Sequence, residues 1–244
     1  MARRLPPPGP PLDDLVAALD REKAAAWHGV PDRLARVRDR IAATAFPDDA
    51  TLAEVAVFPK AVAYALEVGE WWEPAHLERA TWALDEAERR LDALSAGGPA
   101  WRDAEHVALA HRSRLDGAIE PYGIVVPPGL DRSQPVPVWI WLHGRGERDT
   151  DLHFLWGKSR RSGEFFPADA VVLHPFGRYC NGWKGPGAVD VFEALDALDR
   201  VIPVDRERVV LAGFSMGGAG AWGIGARHAQ RDRKSTRLNS SHAN

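Results

Sequence analysis

Two periods of apolar residues divide this 244-residue chain. From Leu12 to about Leu94 they recur three and four positions apart, the period of helices. Leu34, Val37 and Ile41 share one face, with Arg33, Arg36, Arg38 and Arg40 around the rest. Ala53 to Val68 reads as a helix interrupted or restarted at Pro59, because proline lacks an amide hydrogen and its ring crowds the preceding turn. Pro74 to Leu94 is the clearest helix. Proline opens it, Leu77, Leu84, Leu91 and Leu94 line one side, and Gly97-Gly98 follow as a C-cap. Glu86 and Arg90 form an i,i+4 pair placed on its outer face. No pattern occurs twice, which argues against a helical repeat array.

After Trp101 the period shortens to that of strands. Tyr122, Ile124 and Val126 alternate and end at Pro127-Pro128-Gly129. Val136, Val138, Ile140 and Leu142 alternate with Trp139 and Trp141, giving a strand apolar on both faces. Residues 152–161 predict a crossover helix and Ala170 to Leu173 a short buried strand. Val191, Phe192, Leu195, Leu198 and Ile202 predict a helix with Asp190 and Glu193 in its first turn. Val209 to Ala212 predicts the next strand, and Gly218 to Arg227 a buried helix. Strands alternating with helices predict an α/β fold with a mostly parallel sheet.

The expected organisation is a disordered proline-rich lead-in over 1–11, a helical region over 12–100, an α/β domain over 101–230 and a polar tail over 231–244. A hydrophobic content of 45% is ample for a core. A formal charge of −3 gives no general pull toward nucleic acid or membranes. The N-terminus has a positive start but no apolar segment of a secretory signal, and no apolar run approaches membrane-spanning length. The single cysteine, Cys180, excludes an internal disulfide framework and fits a reducing, cytoplasmic compartment. Most of the ten tryptophans are expected in the core or in pocket walls. No cluster has metal-ligand spacing and no glycine stretch has the lysine of a phosphate loop, so neither a metal nor a cofactor is expected.

The candidate chemistry lies at Gly213-Phe214-Ser215-Met216-Gly217. The strand before it and the helix after it make this stretch a nucleophile elbow, in which a serine is lifted into a strained, exposed turn in front of a helix N-terminus. Leu142-His143-Gly144-Arg145-Gly146 follows the strand at 136–142. At these residues the chain resembles the α/β-hydrolase superfamily. That resemblance implies Ser215 as nucleophile and the backbone amides of Arg145 and Met216 as oxyanion donors. Fixed N–H dipoles aimed at a developing oxyanion are the largest single source of stabilisation in acyl transfer. Pro175 to Asn181, Asp190 to Leu195 and Gly213 to Gly218 together resemble prolyl-oligopeptidase-type and esterase-type serine hydrolases, over about residues 106–230. The first reading is a carboxylic ester hydrolase acting on a small-molecule ester. The alternatives are a peptidase of the prolyl-oligopeptidase type acting on short peptides, and a non-catalytic binding protein on a hydrolase fold.

His143 reads as a structural residue that orients the oxyanion loop, and His174 as a structural histidine at a strand end. Arg145 and Arg178 sit on loops where a guanidinium suits a substrate carboxylate, and ordinary loop solvation accounts for them equally. Trp183 walls the cleft or packs beneath it. A serine nucleophile also needs a base and a group that orients the base. After Ser215 only Asp232, His228 and His242 are available, and the polar pattern of 231–242 predicts no strand to present them. Residues 233–242 resemble translated sequencing-adapter or assembly debris on truncated reading frames; a genuine disordered extension is the alternative. The first reading implies an incomplete α/β-hydrolase domain, its last strands, acid and histidine missing, an uncovered apolar edge at 209–213, and an inactive chain.

Overall fold

The computed structural model describes residues 9–146, 150–160, 165–228 and 238–241, the last by backbone alone. The helical region holds α1 (Leu12–Ala17), α2 (Arg21–His28), α3 (Val30–Ala43), α4 (Asp49–Val68) and α5 (Pro74–Ala96). Asp20 and Asp48 cap α2 and α4 by accepting the Lys23 and Thr51 amides at 2.9 and 2.6 Å. Two expectations are corrected here. First, α4 runs through Pro59 without a break. Val55, Val57, Phe58, Ala61 and Val62 are all buried along it, and their packing outweighs the roughly 3 kcal/mol that an interior proline costs. Second, Arg90 lies inside α5's packed face, fully buried, rather than on the outer face. Its guanidinium donates to Glu86 Oε1 (2.7 Å), to the Glu54 carbonyl of α4 (2.8 Å) and to the Ala108 carbonyl (2.7 Å).

Ala108 belongs to the sheet that follows. Its strands are β1 (His106–Arg112), β2 (Ile119–Val125), β3 (Val136–Leu142), β4 (Val171–Pro175), β5 (Val204–Phe214) and β6 (Leu238–Ser241). Their spatial order is β1-β2-β4-β3-β5-β6. Only β2 runs against the others, so the sheet is mostly parallel. Helix α6 (Asp151–Lys158) lies between β3 and β4, α7 (Pro186–Val201) between β4 and β5, and α8 (Met216–His228) follows β5. Val191, Leu195 and Leu198 of α7 and Ala221 and Ile224 of α8 share a core with Val138, Ile140, Leu142 and Leu173. A second cluster joins Phe58, Ala61, Leu84, Leu152 and Leu155 to Ala108 and Ala110 of β1. The helical region is therefore packed directly on the sheet, and its Val55 and Leu91 belong to the same core as the strands.

Three further differences have physical causes. β5 begins at Val204, not Val209, because a register shift between Val136 and Val138 lets the polar stretch Asp205–Arg208 continue the strand. α7 begins at Pro186, one turn before the predicted start, with proline in its first turn. Asp190 and Glu193 are therefore buried in its second and third turns instead of facing the helix dipole. Finally, residues 238–241 pair in parallel with Leu211–Phe214, so the edge expected to be bare carries a strand. A ladder needs only main-chain donors and acceptors, which the polar pattern of side chains does not report. Among the described residues, no helix is long and apolar enough to cross a membrane.

Candidate active site

The sheet's carboxyl edge gathers the ends of β3, β4 and β5, where open α/β sheets build their sites. Between β5 and α8 stands Ser215, with φ 53°. A non-glycine residue there costs of order 1–3 kcal/mol and persists only where its surroundings hold it. Those surroundings are close-packed. A Cβ on Gly217 would overlap the Leu142 carbonyl oxygen, and one on Gly213 would collide with the Gly217 backbone. The β3 terminus and the elbow therefore touch main chain to main chain, which no larger residue permits. Ser215 itself is exposed, and Phe214 beside it is 40% exposed. The first-turn amides of α8, Met216 among them, have no intrahelical acceptor and lie at the positive end of the helix dipole.

The loop after β3 lies against this turn. A Cβ on Gly144 would stand 3.7 Å from Ser215 Cβ and 3.5 Å from the Phe214 carbonyl oxygen. Arg145 follows, exposed. His143 is held by backbone: Nδ1 is 2.8 Å from the Gly144 oxygen and Nε2 2.9 Å from the Phe176 oxygen. Both ring nitrogens are thus engaged away from Ser215. His174 is buried within β4, and His228 packs edge-on against Phe192 at 4.9 Å. Among the described residues no histidine or carboxylate hydrogen-bonds Ser215. Asp232 and His242 lie outside the described residues. No group of three or more His, Cys, Asp or Glu among the described residues could hold a metal ion.

The segment after β4 is the most strained part of the site. Gly177, Arg178, Tyr179, Gly182 and Trp183 all have positive φ, between 56° and 73°. The structure places Arg178 in an ion pair with Asp116, at 2.5 and 2.9 Å, with Glu120 at 3.8 Å from Nε. The hydrogen bonds from Arg178 hold the exposed Asp116 carboxyl well below the usual range. Glu120 is different. Burial, opposed by Lys60 and Arg178 and aided by Asp190 and Asp151, raises its pKa to about 7. Trp183 is 3% exposed, its ring packed against His143 at 4.8 Å and its Nε1 donating to the His143 carbonyl at 3.2 Å. It sits beneath the loops rather than in an open wall.

Two partnerships escape a reading of the sequence. Cys180 Sγ accepts from the Gly146 amide at 3.3 Å and donates to the Gly146 carbonyl at 3.2 Å. Asp190 Oδ1 meets His111 Nε2 of β1 at 3.0 Å, while Oδ2 accepts the Gly177 amide at 2.7 Å. The signal available for Asp190 was an acid set directly beside an apolar helical stripe, the position at which a buried polar group needs partners.

This strand order, with one antiparallel strand next to the parallel core and a strained serine on the turn after β5, defines the α/β-hydrolase class of fold. No protein-family model matches the sequence, and no curated protein matches it. Solved structures with a similar arrangement include a thermostable esterase (23% identity over 52% of this chain and 39% of that one, TM-score 0.40). A ferulic acid esterase matches at 22% identity over 50% and 55% of the two chains, TM-score 0.38. The fluorophosphonate-binding serine hydrolase F of Staphylococcus aureus matches at 20% identity over 55% and 56%, TM-score 0.38. The chain spans between 39% and 56% of the length of these three proteins. No activity passes from them to this chain.

Proposed function

We propose that this chain carries the nucleophile and oxyanion donors of a serine hydrolase acting on small carboxylic esters. The observation that carries the reading is Ser215 at φ 53° on the turn between β5 and α8, exposed and braced by the β3 terminus. In this reading Ser215 Oγ attacks the ester carbonyl and the alcohol leaves. Water then hydrolyses the acyl-enzyme. The amides of Met216 and Arg145 take the developing oxyanion, and Arg178 and Trp183 shape the loop that bounds the site. The base lies outside the described residues.

The chain is therefore expected to react slowly and stoichiometrically with a fluorophosphonate probe, at Ser215, without sustained turnover of p-nitrophenyl acetate. Intact-mass measurement of wild type and Ser215→Ala checks this. Equal labelling of both proteins would overturn the reading. A second reading, a non-catalytic binding protein on the same fold, is favoured by Ser215 having no hydrogen bond to a histidine or carboxylate among the described residues. It expects no labelling of Ser215 at all.

A further inference from the structure

We propose that Asp190 is a positioning residue for the candidate oxyanion loop, acting through the strained segment 176–183. Its functional meaning rests on the serine-hydrolase reading, whereas its geometry does not. The side chain is fully buried in α7, and its two oxygens have separate tasks. Oδ1 is tied to His111 of β1, which fixes the carboxylate against the sheet. Oδ2 accepts the Gly177 amide, the first of the run of left-handed residues after β4. A charge-assisted bond at 2.7 Å suits that place, since it must hold backbone that would otherwise relax. Asn181 then closes the segment on itself, donating to the Gly177 carbonyl at 2.7 Å and accepting the Trp183 amide at 3.0 Å.

From this braced segment four contacts run to residues 143–146. They are the Phe176 oxygen to His143 Nε2, Trp183 Nε1 to the His143 oxygen, and both contacts of Cys180 with Gly146. They enclose the Arg145 amide on both sides. The chain of supports thus runs from β1 and α7, through Asp190, to the peptide proposed to hold the oxyanion. Gly177 and Gly182 adopt positive φ readily, but Arg178, Tyr179 and Trp183 do not without such an anchor. A buried carboxylate is costly unless paired, and here each oxygen has a partner.

Cys180 is the chain's single cysteine, so a thiol reagent reads this segment alone. Wild type, Asp190→Asn and Cys180→Ala are compared by native-state hydrogen exchange and, where the thiol is present, by reaction with a disulfide reagent. Asp190→Asn keeps the shape and removes the charge. It is expected to speed Cys180 labelling and exchange of the 143–146 amides by about tenfold or more, the effect of losing one charge-assisted bond. Phosphonylation of Ser215 should slow by a similar factor. Cys180→Ala is expected to free the Gly146 amide while leaving the Gly177 amide protected, because support runs outward from Asp190. His111→Gln, which leaves the carboxylate in place, should give a smaller acceleration and serves if Asp190→Asn does not fold. Unchanged exchange and labelling in folded Asp190→Asn would overturn the proposal. If wild-type Ser215 is not phosphonylated, the hydrolase reading fails, and the exchange and thiol arms still decide whether Asp190 positions the loop.

Discussion

Gly217 and Gly223 lie in the same helix and would answer the same substitution in opposite ways. A Cβ at Gly217 meets the Leu142 carbonyl, whereas one at Gly223 meets nothing within 4 Å. Gly217→Ala must push β3 and the elbow apart and is expected to destabilise the protein by about 1–3 kcal/mol, as overpacking does. Gly223→Ala gains helix propensity and is expected to stabilise it by about 0.5–1 kcal/mol. Urea midpoints of the two variants check both signs. The elbow glycines were legible in the sequence because their spacing around Ser215 is a constraint of the turn itself. The Asp190–His111 pair was not, since its members are 79 positions apart and meet only when β1 and α7 are docked.

Single elements were read best where their own residues decide them. α5 and β3 follow their apolar periods, whereas α4, α7 and β5 begin or continue where neighbours hold them. Glu120, near the start of β2, shows the same dependence in its ionisation. It is 6% exposed and faces Lys60 of α4, Asp151 of α6, Asp190 of α7 and Arg178 of the loop after β4. Its pKa rises from the ordinary value of 4.5 to about 7. The folded state therefore binds more protons than the unfolded state between these values. The contribution of Glu120 is fully present below pH 4.5 and is lost as pH rises toward about 7. Glu120→Gln should remove this fall, about 1–3 kcal/mol between pH 5 and 8. Urea titrations at several pH values test it; identical pH slopes in the two proteins would contradict the assignment.

At the scale of the whole molecule, the helical region and the sheet share a core and are pinned together by Arg90. Its guanidinium lies over the Phe58 ring at 4.5 Å and the Trp101 ring at 5.2 Å while bonding to carbonyls of α4 and β1. Burial lowers its pKa and Glu86 opposes the shift. Arg90→Ala removes the buried guanidinium that bonds both carbonyls and takes from Glu86 one of its two arginine partners, leaving it Arg89, and an expected loss of about 3–5 kcal/mol follows. Because the cores are continuous, far-ultraviolet circular dichroism and tryptophan fluorescence should report one coincident transition, in wild type and variant alike. Two separate transitions would show that the helical region folds by itself.

By itself the sequence determined the helix-then-sheet order, the elbow around Ser215 and the glycine loop after β3, because each follows from local period or from the steric demands of one turn. Only the tertiary structure decided that Arg90 is buried, that Arg178 pairs with Asp116, that Trp183 lies beneath the loops and that Asp190 anchors the segment above it. A polar residue carries no mark of its partner in the chain; the partner is chosen when distant elements pack and each buried charge must be satisfied.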